Sequence, residues 1–263
     1  MPWIKHPRPG ARPVRIAVWS VVVIVSLLAA SCSSGTGSAA GPVARSTTTE
    51  QHRVVVAPSS TTTVPASTVV AALHGTVARY ATPGGTPDGT VPGTWYGSAS
   101  ILPVLAEESG YLEVRLAQRP NNSTAWIQQG SATLSSTPYR IVVDLGQRRL
   151  YLYDAGTEVM NAPAGIGTTR DPTPTGNFFV AFFAAPPSSG YGAFVIVTSG
   201  HSNAISDFEE SGDAVVAIHG PLGADRAIGT TGAQVSHGCV RLHESDLVQL
   251  RQVPAGSPVD IVQ

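Results

Sequence analysis

Two histidines and one cysteine lie close together near the C-terminal end of the sequence. The chain reads Ile218-His219-Gly220-Pro221 and then, after a glycine-rich stretch, Ser236-His237-Gly238-Cys239-Val240-Arg241. A cysteine attacks as its thiolate, and an ordinary thiol is only a few per cent ionised at neutral pH. A catalytic cysteine therefore needs a base or a cation beside it, and histidine is the usual supplier. This region predicts a nucleophile, Cys239, that is activated by His219.

Each of these residues has a plainer interpretation when it is taken singly. One buried cysteine is commonly a small hydrophobic residue, and a histidine near a strand end is commonly structural. Cys239, however, is flanked by His237, Gly238 and Arg241, a polar and electropositive neighbourhood that suits core packing poorly. Gly220 and Gly238 also allow backbone angles that can point N–H groups at a developing oxyanion. Together, the residues favour chemistry over packing.

The spacing of these residues resembles the signature of the L,D-transpeptidase family with a YkuD-type catalytic domain. That signature is a histidine, two residues, a gap of fourteen to seventeen residues, then Ser or Thr followed by His-Gly-Cys. Here the gap from Leu222 to Val235 is fourteen residues. The resemblance covers Thr137 to Gln263 and includes the Thr173-Pro174-Thr175-Gly176 turn.

The resemblance implies a role for each matching residue. Cys239 would attack a carbonyl, His219 would take the thiol proton, and the backbone carbonyl of Gly220 would orient the imidazole. His237 would shape the electrostatics beside the thiol, and the N–H groups of Gly238 and Cys239 would hold the oxyanion.

The same resemblance places three residues at the substrate. Ser236 and Tyr191 would line the substrate site, and Arg241 would grip a substrate carboxylate. No metal ion and no cofactor are implied.

The implied reaction is a two-step acyl transfer on peptidoglycan. A tetrapeptide stem would donate its third residue to Cys239 with loss of D-Ala, and the side-chain amine of a neighbouring stem would attack the thioester. Water in place of the amine would make the same site an L,D-carboxypeptidase. Carbapenems are expected to acylate Cys239.

The sequence predicts a mainly β fold for residues 137–263, a YkuD-type β-sandwich with one short helix. Alternating apolar and polar residues indicate strands. The predicted strands are Tyr139 to Leu145, Arg149 to Asp154, Val159 to Ile166, Phe178 to Phe183, Ala193 to Thr198, Ala214 to Ile218 and Val259 to Val262, and the helix is Glu244 to Arg251. The segment Ala184 to Gly212 is either a flexible cover over the site or an ordinary hairpin connection.

Residues 69–135 predict a small β domain, because short β-type runs alternate with Gly, Pro and Asn clusters. Its last part, from Tyr111 to Ile127, resembles the end of a bacterial SH3-like domain. Trp95, Tyr96 and Trp126 could form an aromatic binding face, but aromatic residues in a small β domain more often belong to the core.

Residues 1–32 are typical of an export signal, with four basic residues, an apolar run from Ile16 to Ala30 and no Asp or Glu. The run ends at Ala29-Ala30-Ser31-Cys32, which resembles a lipoprotein cleavage site, so we expect either lipidation of Cys32 or an uncleaved membrane anchor. Residues 33–68 are rich in Ser, Thr and Pro and predict a disordered linker. The protein is expected to be exported and anchored on the outer face of the membrane, facing the cell wall.

Charge and cysteine content exclude some classes of protein. Four of the 16 basic residues lie in the signal, so 12 remain against 17 acidic residues, which argues against nucleic acid as a partner. Two cysteines, Cys32 and Cys239, cannot form the disulfide framework of a small secreted domain.

Three rival functions remain. A zinc peptidase could use His201, His219, His237 and His243, but no recognised ligand spacing supports it. A papain-like peptidase has its cysteine before its histidine in the chain, which is the opposite of the order here. A non-catalytic wall-binding lipoprotein would not need intact Cys239, His219 and Ser236.

Overall fold

The computed structural model describes residues 63–209 and 211–263. The predicted export signal, Cys32 and residues 33–62 of the predicted linker lie outside the described residues. Within the described part of the chain, no helix is long and apolar enough to cross a membrane. The helices there are short, and strands form most of the regular structure.

The first half of the described chain forms a seven-stranded sheet and a small separate hairpin. Its strands are β1 Thr68–Leu73, β2 Val77–Tyr80, β3 Pro87–Val91, β4 Thr94–Trp95, β5 Ser98–Ala99, β6 Ile101–Glu108, β7 Tyr111–Arg115, β8 Thr124–Gln128 and β9 Ala132–Thr137. The order in what we call the N-terminal sheet is β3-β2-β8-β7-β6-β1-β9, and β4 pairs only with β5. All the neighbours are antiparallel.

The second half forms what we call the C-terminal sheet, with ten strands in the order β12-β11-β10-β19-β14-β15-β16-β18-β13-β17. Its elements are β10 Tyr139–Asp144, β11 Arg149–Asp154, β12 Thr157–Pro163, β13 Gly165–Gly167, β14 Gly176–Ala184, β15 Val195–His201, β16 Val215–His219, α1 Asp225–Ile228, β17 Ala233–Ser236, β18 Val240–Arg241, α2 Glu244–Leu247 and β19 Pro258–Val262. Strand β19 returns from the C-terminus to the middle of the sheet, parallel to β10 and antiparallel to β14.

Strand β14 is buried on both faces and joins the two sheets. Its sequence, Gly-Asn-Phe-Phe-Val-Ala-Phe-Phe-Ala, is a nearly continuous apolar run, which is typical of such a strand. Phe178 and Val180 lie in the core of the C-terminal sheet, whereas Phe179 and Ala181 lie in the core of the N-terminal sheet. A strand of the C-terminal sheet therefore contributes alternate side chains to the cores of both sheets.

The predicted mainly β fold class is confirmed. The predicted helix from Glu244 to Arg251 is α2 continued by a 3₁₀ turn, Val248–Gln252. The structure adds a second one-turn helix, α1, and the short strands β17 and β18 around the cysteine. These additions lie in the stretch that the sequence describes only as a glycine-rich loop, because strands of two to four residues are too short to show a periodicity. The SH3-like assignment of residues 69–135 stays a prediction.

Substitution of Phe179 tests whether β14 contributes to the core of the N-terminal sheet. Phe179 is 1% exposed, so Phe179→Ala should lower the free energy of unfolding by about 3–5 kcal/mol. The control Phe183→Ala removes the same side chain from the same strand, but Phe183 is 36% exposed, so its loss should be clearly smaller. Denaturant unfolding of the full chain measures the free energy of unfolding of both variants. Equal losses of stability would contradict the contribution of Phe179 to the core of the N-terminal sheet.

Candidate active site

Two short strands bring His219 and Cys239 into one place. Strand β18 pairs in parallel with β16, with Ile218 opposite Val240 and His219 opposite Arg241. Cys239 immediately precedes β18, so it lies beside Ala217. Alternate residues of a strand share a face, so His219, Cys239 and Arg241 all point to the same side of the sheet.

That side of the sheet lines a pocket of about 290 Å³. His219, Cys239 and Arg241 form part of its floor. The remaining lining is partly aromatic and comes from β14, from the loops before and after β15, and from the β4–β5 hairpin; it includes Tyr96, Phe182, Tyr191, Ile205, Phe208, Glu209, Asp213 and Leu222. The predicted nucleophile and base therefore share one concave site.

His219 is held as a neutral imidazole. Its side chain is only 2% exposed, and this burial lowers its pKa to about 4, with the charge of Arg241 acting in the same direction and the Gly220 hydrogen bond opposing it. Nδ1 lies 2.8 Å from the backbone oxygen of Gly220. Because a carbonyl oxygen only accepts, Nδ1 carries the proton and Nε2 keeps its lone pair. His219 is thus oriented and protonated as a general base requires.

Close packing requires a glycine at position 220. A Cβ atom at this position would lie 2.7 Å from the backbone nitrogen of Gly192. The Gly220 amide donates to the oxygen of Tyr191 at 2.8 Å, and the Tyr191 ring centroid lies 4.6 Å from that of His219. The 3₁₀ turn Ser189–Tyr191 therefore packs directly on the imidazole.

The Cys239 thiol is partly exposed in the pocket and otherwise surrounded by protein. Its sulfur packs against the apolar cluster of Val195, Val197 and Ala217. Burial raises the pKa of the thiol, and the Ala217 amide and the Arg241 charge oppose that shift without cancelling it. The resting pocket therefore contains both a neutral thiol and a neutral imidazole.

Ser236 holds the backbone turn that presents the cysteine. Its hydroxyl donates to the oxygen of Cys239 at 2.5 Å and accepts from the amide of Gly238 at 3.1 Å. Gly238 has a φ of +116°, a conformation that favours glycine. Because the Gly238 amide already donates to Ser236, the predicted oxyanion role of Gly238 would require this hydrogen bond to be exchanged.

His237 and Arg241, two residues before and after Cys239 in the chain, both line the pocket. The His237 side chain is 65% exposed, and its Nε2 lies 3.9 Å from a carboxylate oxygen of Asp171, which belongs to the loop that carries the Thr173-Pro174-Thr175-Gly176 turn. Arg241 lines the pocket, and its Nε is buried and has no hydrogen-bond partner among the described residues. The guanidinium is therefore a cation that can still accept an anionic partner.

Comparison with known proteins identifies the domain that carries this site. Residues 138–261 match the family model of the L,D-transpeptidase catalytic domain, YkuD. This part of the chain belongs to that family. The YkuD proteins of Bacillus licheniformis and Bacillus subtilis are 30% and 28% identical over 125 residues, which is 47% of this chain and 66% of each relative.

Solved L,D-transpeptidases are also similar to this chain. One from Mycobacterium smegmatis has 16% sequence identity and a TM-score of 0.39, over 62% of this chain and 82% of its own. L,D-transpeptidase 3 from Mycobacterium tuberculosis, in complex with a faropenem-derived adduct, has 16% identity and a TM-score of 0.39, over 56% of this chain and 76% of its own.

The segment Ala184 to Gly212, which the sequence leaves as either a cover over the site or a hairpin connection, comprises two loops separated by a buried strand. The first loop carries Tyr191 and lies against His219. Strand β15 follows, and the second loop, described at residues 202–209 and 211–214, forms the opposite wall of the pocket. We call this second segment the β15–β16 loop.

Several residues near the candidate site were not found from the sequence. Asp171 and Asp213 are single acidic residues in loops, and only the fold places them near His237 and in the pocket wall. Tyr96, which the sequence favours as a core residue, lines the pocket instead. Its signal was the Tyr96-Gly97 pair, which predicts a tight hairpin that presents the aromatic ring.

The histidines that a zinc site would need have other partners. His201 Nε2 lies 3.1 Å from Asp213, and His243 contacts Asp225 and the backbone oxygen of Gly229. Among residues 63–209 and 211–263, no group of three His, Cys, Asp or Glu side chains is arranged to hold a metal ion.

The raised pKa of Cys239 predicts the pH dependence of its reactivity. Only the thiolate is alkylated, so the rate with iodoacetamide should rise about tenfold per pH unit between pH 6 and pH 8.5, without a plateau. The Cys32→Ala variant leaves Cys239 as the single thiol and allows alkylation to be followed by intact mass. A plateau below pH 7 would instead indicate a thiolate–imidazolium pair and contradict the neutral resting state.

Ser236 should contribute to stability through its two hydrogen bonds. Ser236→Ala leaves a buried backbone oxygen and amide without their partner and should cost about 1–3 kcal/mol of unfolding free energy. Ser135→Ala, at an exposed position of β9, should change it by less than about 0.5 kcal/mol. Denaturant titration of both variants makes the comparison, and equal stability of the two would remove this role from Ser236.

Proposed function

We propose that this chain is a peptidoglycan L,D-transpeptidase that crosslinks the third residues of stem peptides through a thioester on Cys239. The observation that carries the proposal is that Cys239 and His219 line one pocket, with the imidazole neutral and its Nδ1 proton held by Gly220. The membership of residues 138–261 in the L,D-transpeptidase catalytic domain family supports it.

The first half-reaction follows from the protonation states. As the sulfur of Cys239 approaches the carbonyl carbon of the third stem residue, its proton passes to Nε2 of His219. A tetrahedral intermediate forms, and the imidazolium gives the proton to the leaving amine of D-Ala as the C–N bond breaks. The product is a thioester between Cys239 and the shortened stem, with His219 neutral again.

In the second half-reaction the side-chain amine of another stem attacks the thioester. His219 takes a proton from the attacking amine, the C–S bond breaks, and Cys239 leaves with a proton. Water attacking instead would give an L,D-carboxypeptidase from the same residues.

Arg241 supports a substrate with a free carboxylate. Its buried Nε has no partner among the described residues, and its charge also lowers the pKa values of Cys239 and His219. We infer that the guanidinium binds the terminal carboxylate of the stem and offsets the negative charge that develops during attack. The Cys239 amide and His237 would stabilise the oxyanion beside it.

Carbapenems should acylate the same cysteine, because their strained lactam carbonyl offers the thiol an equivalent acyl group. Outside the described residues, residues 1–32 are proposed to direct export, with Cys32 as the lipid attachment site or the apolar run as an uncleaved anchor. The predicted linker that precedes β1 would then give the catalytic domain reach from the membrane to the wall.

The test is to incubate the detergent-purified full chain with disaccharide tetrapeptide and, separately, disaccharide pentapeptide. Only the tetrapeptide should give D-Ala release, a crosslinked dimer and a covalent adduct detected by mass. Cys239→Ala should abolish all three, and His219→Gln should slow adduct formation by about 10²–10⁴-fold. A chelator should have no effect.

Matched variants provide the controls. Cys32→Ala removes the other cysteine, and His74→Gln removes a histidine outside the pocket; both should retain full activity. Consumption of neither substrate by the wild-type chain would contradict the proposal, whereas release of D-Ala without crosslinked dimer would assign the carboxypeptidase activity.

A further inference from the structure

We call residues 68–137, which form the N-terminal sheet and the β4–β5 hairpin, the N-terminal sheet region. This region contributes a side chain directly to the pocket that holds Cys239. The β4–β5 hairpin has a two-residue turn, Tyr96-Gly97, with φ values of +48° and +80°, as in the type I′ turns that favour hairpins. Trp95 packs edge-on against Phe182 of β14, with the ring centroids 6.0 Å apart. Trp95 thereby fixes the hairpin on the C-terminal sheet, and Tyr96 lines the pocket.

A second element of the same region fastens the β15–β16 loop. Arg119, between β7 and β8, donates to the backbone oxygens of Ser202 at 2.6 Å and Ile205 at 3.1 Å. Its Nε and Nη2 also donate to one carboxylate oxygen of Asp213, at 3.2 Å and 3.1 Å. One guanidinium thus holds both ends of the loop.

Asn121 adds a bidentate contact at the same point. Its side-chain amide donates to the backbone oxygen of His201 at 2.7 Å and accepts from the His201 amide at 2.9 Å, as a neighbouring strand would. The other carboxylate oxygen of Asp213 contacts His201 Nε2 at 3.1 Å. The amide of Ser202 donates to the oxygen of Ala214 at 2.8 Å and closes the neck of the loop.

The fastened loop is the pocket wall that faces the catalytic residues. Ser202, Ile205, Phe208 and Asp213 of this loop line the pocket. The Phe208 ring centroid lies 6.0 Å from that of His237, two residues before Cys239. A shift of the loop would therefore change the shape of the pocket next to the nucleophile.

We propose that the N-terminal sheet region is a working part of the active site, in which Tyr96 contacts the bound stem peptide and Arg119 is a positioning residue that holds the β15–β16 loop against it. This inference rests on the proposed function, since it assigns binding residues for that substrate.

The exposure of Arg119 separates this role from a purely structural one. The side chains of Arg119 and Asp213 are 39% and 22% exposed, and ion pairs this close to solvent contribute little to stability. Loss of Arg119 should therefore leave the fold nearly as stable while it loosens the wall of the pocket. Substrate affinity should change more than thermal stability.

The experiment measures D-Ala release from disaccharide tetrapeptide by the full chain and its variants. Arg119→Ala and Tyr96→Ala should each raise KM about tenfold and leave kcat within about threefold, because they remove binding contacts away from the reacting atoms. Arg119→Lys keeps the charge but not the fork that reaches three oxygens, so it should fall between wild type and Arg119→Ala. Alkylation of Cys239 by iodoacetamide, which needs no peptide site, should stay within about twofold of wild type in every variant.

The control is Arg79→Ala, which breaks another exposed ion pair of the N-terminal sheet, with Asp88, and should leave KM unchanged. If Arg119→Ala does not fold, Arg119→Lys and Tyr96→Ala carry the test. Unchanged KM in the folded Arg119 and Tyr96 variants would overturn the inference, as would a parallel loss of peptide turnover and alkylation. Failure of the proposed function would look different, because the wild-type chain would then release no D-Ala.

Discussion

The site depends on the pairing of two strands, β16 and β18, which are separate in the sequence but lie side by side in the sheet. Strand β18 is two residues long, and its parallel pairing with β16 sets His219 opposite Arg241 and leaves Cys239 beside Ala217. A shift of one residue in this register would turn Cys239 and Arg241 to the opposite face. The hydrogen bonds of Ser236 and the steric limit at Gly220 both preserve the register, because each fixes the backbone directly beside one of the two strands.

Burial determines how the two reactive groups meet. At a protein surface, water would solvate both a thiolate and an imidazolium. Here desolvation disfavours both of these charged forms. The same burial holds the Nδ1–H bond to Gly220 in place, so the unprotonated nitrogen is always the one available to the thiol. The thiolate therefore forms only when a carbonyl group is in position to be attacked. In its absence Cys239 stays a neutral thiol, which oxidants attack more slowly than a thiolate.

The sequence predicts most of the C-terminal sheet and the central residues of the site. Arg149 to Asp154 is a strand with the predicted bounds, because alternation of apolar and polar residues reports a half-buried strand directly. The lone cysteine with two nearby histidines predicts Cys239 and His219 as reactive residues, since their chemistry is confined to a few residue types, and the structure places both in one pocket. Arg119 and Asp213 could not be found this way, and Tyr96 was interpreted as a core residue although its hairpin turn leaves a sequence signal. Their importance comes from contacts across about a hundred residues of sequence, and neither periodicity nor local spacing records such contacts.

The double burial of β14 also bears on how this protein can be divided. The boundary of the family match, near residue 138, suggests a catalytic module that could be cut out and expressed alone. Excision there would bare the face of β14 that carries Phe179 and Ala181, and would also remove the guanidinium that fastens the β15–β16 loop. A truncated domain would expose this apolar surface to other molecules. Any module that replaced the preceding one during evolution would therefore have to cover the same surface of β14.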